Sequence, residues 1–552
     1  MDTLIIKNKR GCLDKWRKKC AALSHSIVSA VRPSSFISSL LHGVGVYLYH
    51  KFASSYLIDL LSAVGFCASY KSIVQLETSA ILRPEQMKLQ QGSFVQFAFD
   101  NADFNVNTLD GLGTFHALGG IMMVTPSESI IPEESFARKE KCNSSQLMQQ
   151  RPPVQLQIYK PNKNQGLTTV SIEDVDSIHQ THEGIVPSSS DIAWLISKSI
   201  KKWSIPGWNG FMEQATNHLP FETTRVVCLP FINHPPSQYD TLLTALRVAK
   251  EKCDASGQKT CFVTFDQPLY KKAKEIIANC DEFRNVVVGL GGFHLLMSFM
   301  GTIGMIMEGS GLKEVFATIF APNSIQKMMS GHSYARAVRA HILTQLALAM
   351  EVFKTIKLTD EEEGVLDDVF YSCDHSNISV LHEHEQFQPI QTKFTNALED
   401  LKRNDPTAKL WVQYFRLVTM VKQFIEAERM GNWDLHLKTI QKMLPFFHAA
   451  GHFFYAKCAH MYLQDMLRLE ERMDPLEFQL YTKSGYFTIR RTKKFWCGVW
   501  SDMTIEQVLM RSMKSYGGLT RGRGMTYSVL TRWTLGMVYL QNICTDVESY
   551  CD

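Results

Sequence analysis

Asp100, Asp266 and Glu506 are the residues whose types and settings could do chemistry together. Asp100 closes the run Phe94-Val95-Gln96-Phe97-Ala98-Phe99, and Asp266 closes Thr260-Cys261-Phe262-Val263-Thr264-Phe265. Aromatic and β-branched residues in such runs favour pleated, largely buried strands. An unpaired carboxylate facing the interior costs several kcal/mol or more. Each aspartate is therefore a turn or cap residue satisfied by local backbone, or a ligand for a cation. Glu506 lies a turn into the helical stretch Ser501-Asp502-Met503-Thr504-Ile505-Glu506-Gln507. There Asp502 could serve as the N-cap and Glu506 as an ordinary acid of the first turn. Asp103 and Asp110 compete with Asp100 for a ligand role, and Asp502 competes with Glu506. A few carboxylates suffice for Mg²⁺, which takes oxygen ligands and keeps several waters. A pair of such ions about 4 Å apart can serve both the attacking and the leaving oxygen of a phosphodiester displacement.

The elements that must position these acids follow from the rest of the chain. With 552 residues, 45% of them hydrophobic, the sequence can bury the cores of two or three domains. A formal net charge of +4 permits contact with a polyanion without demanding it. The 13 cysteines include no C-x-x-C pair, which argues against a zinc ribbon or a thioredoxin-like site. Met1–Lys19 is charged and lacks the apolar core of a secretory signal, so reduced thiols and a nuclear or cytoplasmic setting are expected. In Phe36–Tyr70 the apolar residues are interrupted by His42, His50, Lys51 and Asp59. That leaves no run of the roughly 18 apolar residues a membrane span needs.

In chain order, 1–90 reads as an N-terminal helical region. A strand from Phe94 opens an antiparallel meander to about Thr125, with Gly113–His116 and Ile121–Val124 as further strands around Gly119-Gly120. Residues 126–190, rich in Ser, Pro, Gln, Asn and Lys, read as a loop insertion carrying a strand-like Val154–Tyr159. Strands at Thr224–Pro230, Thr260–Asp266 and Asn285–Leu290 alternate with helices at Tyr239–Cys253, Leu269–Cys280 and His294–Ile306. Residues 311–485 are almost wholly helical, Tyr486–Ile489 is extended, and helices are expected at Thr504–Ser515 and Ser528–Leu540. The domains expected are thus 1–90, a first part of an α/β core at 91–310, a helical insertion at 311–485 and a completion of the core at 486–552.

This order, with Asp100-Asn101-Ala102-Asp103, Gly291-Gly292-Phe293-His294-Leu295-Leu296 and Ser501–Glu506 as its landmarks, resembles the ribonuclease-H-like fold of DDE transposases. The helical insertion between the second aspartate and the glutamate resembles the hAT and Mutator-like groups, and the wording is similar to transposon-derived animal proteins. The resemblance implies a mixed sheet flanked by helices and interrupted by a large all-α insertion. It further implies Mg²⁺- or Mn²⁺-dependent cleavage and strand transfer of double-stranded DNA, live or as a fossil. In it Asp100 bridges two ions, Asp266 binds one and Glu506 the other, with His294 near the scissile phosphate as a fourth catalytic residue. A homo-oligomer and a nuclear location go with it. No zinc finger is seen before residue 90, so a truncated or domesticated copy is expected. The alternative is a domesticated, non-catalytic scaffold that binds DNA or protein through the helical block.

Arg490, Arg491, Lys493, Lys494, Arg521 and Arg523 flank the Glu506 helix, and glycines around Arg521 and Arg523 would let guanidinium groups approach phosphates. Rival signals read as ordinary structure. Val286–His294 mimics a dinucleotide fingerprint, but its third glycine position is His294, so a tight, closely packed strand-to-helix turn is expected. Cys373, His375, His382 and His384 fit no common zinc spacing, and His448, His452 and His460 lie in an aromatic helix that explains them as packing residues. The basic cluster from Lys7 to Lys19 reads as a solvated helix face.

Overall fold

A computed structural model describes residues 13–32, 35–52, 54–82, 88–102, 104–105, 114–131, 138–140, 142–150, 152–161, 170–175, 184–200, 205–364, 387–511, 535–536, 543–544 and 547. It is a mixed α/β structure built on a five-stranded sheet. Seven strands are present among the described residues: β1 (Phe94–Asn101), β2 (Phe104–Asn105), β3 (Thr114–Phe115), β4 (Leu118–Thr125), β5 (Arg225–Ile232), β6 (Cys261–Phe265) and β7 (Val286–Leu290). The main sheet runs β5-β4-β1-β6-β7, while β2 and β3 form a separate two-stranded ribbon. β1 is central, antiparallel to β4 and parallel to β6, which is in turn parallel to β7.

That arrangement corrects one expectation. Gly119-Gly120 falls inside β4, and the third antiparallel strand is β5 from beyond the loop insertion. The reason is packing. A Cβ at Gly120 would stand 2.5 Å from the Phe99 ring across the sheet, so the glycine pair admits an aromatic neighbour without breaking the strand. Val154–Tyr159 is likewise no strand. It lies along helix α1 (Tyr239–Ala255), where the Gln157 and Tyr159 N–H groups donate to Thr244 Oγ1 at 2.9 Å and Asp240 Oδ1 at 2.7 Å.

Because β1, β6 and β7 are parallel, their C-terminal ends meet at one edge of the sheet. The register Ala98↔Thr264, carried two residues on, sets Asp100 beside Asp266. From that edge β6 passes into α2 (Gln267–Asn279), and β7 passes through Gly291 into α3 (Gly292–Ile306). The two sheet faces are covered differently. Val95, Phe97 and Phe99 enter a large core continuous with the helices, whereas Ala98, Ile121, Met123 and Cys228 meet Ile489, Val499, Ile505 and Leu509 on the other side. Strand alternation puts Asp100 on the Ala98 side.

Described residues between 311 and 485 are helical apart from short connections, with α4 (Pro406–Met430) the longest helix. A buried ion pair ties the block to the Ser189–Ile200 helix. Lys422 Nζ on α4 donates to Asp191 Oδ1 and, at 3.1 Å, to Gln345 Oε1. At the N-terminal side, the Leu13–Val31 helix buries no residue fully and leaves Leu23, Ile27 and Val31 exposed. Among the described residues no helix is long and apolar enough to cross a membrane.

Candidate metal centre

Asp100 is 7% exposed, at the end of the central strand. Its Oδ1 accepts the Asn101 N–H at 2.7 Å, while its Oδ2 is buried with no hydrogen-bond partner among the described residues. An orphaned carboxylate oxygen is costly unless something else fills the position. Burial chiefly, then the charge of Asp266, pushes the Asp100 carboxyl up to about 8, against the pull of His294. Directly opposite on β4 is Gly119. A Cβ there would sit 2.9 Å from Leu509 and 3.0 Å from Met510, so the absent side chain lets the helix that begins at Ser501 press against the sheet beside Asp100.

That helix, α5 (Ser501–Ile505), begins earlier than its sequence suggests and widens into a π turn over Glu506–Met510. Insertions of this kind recur at functional sites, because one extra residue re-aims a side chain. Glu506 stands at the junction. Asp502, one turn earlier, shares its face of the helix. It does not cap its own helix, whose N-cap is Trp500 without a side-chain bond. Its carboxylate instead accepts the N–H groups of Phe293 and His294 at 3.1 and 3.0 Å, capping α3 across the fold. Its Oδ2 also lies 3.0 Å from His294 Nδ1.

The outcome is a convergence of three elements. Asp100, His294 and Glu506 each offer one ligand atom, and these atoms all lie within 4.8 Å of one another. The trio differs from the expected one by an exchange of Asp266 for His294. Asp266 Oδ1 accepts the Leu269 N–H at 3.2 Å and so caps α2, the turn-residue role open to it from sequence. It remains close enough for its charge to act on both Asp100 and His294. Burial opposes charge on the His294 ring, but the hydrogen bond and charge of Asp502, reinforced by Asp100 and Asp266, outweigh it and raise the ring to about 9. Two carboxylates and an imidazole around an orphaned oxygen make a donor set for a divalent cation.

The basic residues divide. Arg490 does not belong to a phosphate-binding surface: it is 4% exposed and donates to the main-chain carbonyls of Phe495 at 3.2 Å and Arg429 at 3.0 Å. It fell inside because Ile489 and Val499 pair across it as a β-bridge, drawing the segment onto the sheet. Arg491 is exposed and bonds Gln507, next to Glu506. Lys493 is exposed, and Lys494 is exposed with Glu213 at 2.7 Å. Arg521, Arg523, Asp103, Asp110, Cys373, His375, His382 and His384 lie outside the described residues. His452 bonds Ser298 Oγ at 2.9 Å and His460 bonds the Glu173 carbonyl at 2.8 Å, so the two histidines serve separate packing contacts.

Asp502 is the residue whose part sequence reasoning missed. Its spacing of four from Glu506 was the available signal, together with the glycine pair that leaves α3 without a cap of its own. The family described as "Domain of unknown function (DUF8702)" matches residues 207–552. That span includes Asp266, His294, Asp502 and Glu506 and leaves out Asp100. No curated protein and no solved structure matches the chain.

Proposed function

We propose that this chain, which belongs to the DUF8702 family by that match, is a metal-dependent enzyme of phosphodiester chemistry on DNA, built on a ribonuclease-H-like core of the DDE-transposase kind. The observation that carries the reading is the convergence of Asp100, His294 and Glu506 from β1, α3 and the π turn that continues α5, more than 400 positions apart at the extremes. The order of elements supports it: antiparallel strands leading into parallel ones, a helical block, then a helix bearing the glutamate. A divalent ion held there would activate a water or hydroxyl and stabilise the leaving oxygen of the phosphodiester. Asp100 and Glu506 would supply oxygen ligands and His294 a nitrogen, which favours Mn²⁺ over the oxygen-seeking Mg²⁺. Asp266 adds negative charge at the rim and holds α2 in place. Exposed Arg491, Lys493 and Lys494 beside the same helix provide phosphate contacts that orient a duplex without reading its sequence.

The test has two parts. Millimolar Mn²⁺ should raise the melting temperature of the protein, because an ion that binds only the folded state stabilises it by mass action, about 2.7 kcal/mol at one hundred times Kd. Supercoiled DNA should then be nicked in Mn²⁺ by the natural sequence, with activity abolished in Asp100→Asn and Glu506→Gln. A protein whose melting is indifferent to millimolar Mn²⁺ has no such centre, and the reading fails.

A further inference from the structure

The start of α3 is shaped by one distant segment, Trp500 to Asp502. Gly291, the N-cap, has no side chain to bond the first N–H groups of the helix. Those groups are satisfied by Asp502, from 208 and 209 residues further along the chain. A Cβ on Gly291 would lie 2.3 Å from Asp502 Oδ2, and one on Gly292 would lie 2.2 Å from the Trp500 ring. The glycine pair is therefore the socket into which α5 inserts its carboxylate and the preceding tryptophan. Anions are stabilised at a helix N-terminus, so the fit is favourable as well as close.

A cap alone needs only one acceptor near two N–H groups. Asp502 does more, because the same Oδ2 that takes the His294 N–H also holds His294 Nδ1 at 3.0 Å. The imidazole is thus gripped at the backbone and the ring by one carboxylate. With Nδ1 engaged, Nε2 is the atom left to face Asp100 and Glu506. Histidines that ligate metals commonly donate their other ring N–H to a carboxylate, which fixes tautomer and ring direction. Asp502 and Glu506, one helical turn apart, then act as a pair. The first aims the histidine and the second completes the centre, so seating of α5 sets both at once.

We propose that Asp502 is the positioning residue of the centre, fixing the Nδ1–H tautomer of His294 and directing Nε2 at the cation, with Gly291 and Gly292 as the socket that admits it. This rests on the metal-centre reading above, although the tautomer half can be tested without any metal.

The experiment compares the natural sequence, Asp502→Asn and Gly291→Ala. The last leaves Asp502 chemically intact but pushes its carboxylate out of the socket. Each protein is titrated with Mn²⁺, its folding is checked by thermal melting, and the His294 ring is observed by ¹H–¹⁵N correlation in the metal-free state at a pH where the ring is neutral. The expected result is a 10- to 100-fold weaker Mn²⁺ affinity in both folded variants. With it goes a change of the His294 ring signal from the Nδ1–H form to the Nε2–H form. Variants that bind Mn²⁺ like the natural sequence and keep the Nδ1–H ring overturn the proposal. If both variants fail to fold, Asp502 is a structural cap and the proposal falls. If the natural sequence itself binds no Mn²⁺, the function reading fails separately. The ring signal then still decides: a tautomer change in the variants sustains the positioning role, and an unchanged ring ends it.

Discussion

Asp100 is the residue on which the metal reading turns, and its cost in the ion-free protein is measurable. The unfolded chain ionises this carboxyl near pH 4, whereas burial and Asp266 hold the folded one protonated up to about 8. Between those values the unfolded state carries fewer protons, so the folded state loses stability as pH rises. Asn at this position needs no proton. Asp100→Asn should therefore be more stable than the natural sequence at pH 7.5 without metal, and should gain nothing from Mn²⁺. A variant that is less stable in urea at that pH would mark Asp100 as a structural acid. The carboxylates at the strand ends were legible in the sequence because aromatic and β-branched runs announce strands, and a charge ending one is conspicuous. The exchange of Asp266 for His294 was not. Which neighbour faces the orphaned oxygen depends on how α2 and α3 leave adjacent strands, and local spacing carries no trace of it.

At the scale of elements, buried and exposed charges of one segment should respond differently to substitution. Arg490 satisfies two main-chain carbonyls inside the fold and stacks against Phe495 at 4.7 Å. Arg490→Ala should cost about 2–4 kcal/mol through unsatisfied groups and poorer packing. Replacing Arg491, Lys493 and Lys494 together with Ala should leave the melting temperature nearly unchanged. It should also flatten the salt dependence of duplex-DNA binding by roughly 0.9 in slope for each phosphate that is no longer neutralised. An unchanged slope would remove that segment from any DNA interface. A further prediction concerns the ion pair between α4 and the Ser189–Ile200 helix. Lys422 and Asp191 are fully buried partners, and burial pushes the aspartate up and the lysine down despite their attraction. Asp191→Ala should destabilise the protein by about 3–5 kcal/mol, because it strands a buried ammonium, whereas the Asp191→Leu, Lys422→Met double variant should recover most of that loss. If the single variant is mild, the pair is not what holds the Ser189–Ile200 helix against α4. The helical block was plain in the sequence from its periodicity. The ion pair was not, since Lys422 is one of several charged residues along its helix and Asp191 follows the loop-like stretch 126–190, 231 positions away.

Over the whole molecule, acid stability is governed by opposing buried groups, and their signs can be worked out one by one. His341 and His436 are fully enclosed in the helical block, with ring nitrogens 2.9 Å from the Tyr414 hydroxyl and 3.0 Å from the Tyr462 hydroxyl. Burial pulls them down to about 4 and about 3. Below pH 6.5 the unfolded chain takes protons that the folded rings refuse, so their contribution is complete above 6.5 and is lost as pH falls. Glu428 has the other sign. Burial holds it protonated up to about 8, while the unfolded chain releases its proton near pH 4.5, so stability drains as pH rises between those values. Glu428 Oε2 and His436 Nδ1 are 3.9 Å apart, beyond hydrogen-bonding distance, so at neutral pH each keeps its own uncharged form. Because the two trends cancel in part, the pH profile of the natural sequence alone is not diagnostic, and differences between variants are. The stability advantage of the natural sequence over His436→Gln should shrink by about 1.4 kcal/mol for each pH unit below 6.5. Glu428→Gln should gain on the natural sequence at the same rate from pH 4.5 toward 8. Urea denaturation at four pH values between 4.5 and 7.5 reads both slopes. Parallel lines for His436→Gln would mean that water reaches the ring and that the helical block is looser than its packing indicates.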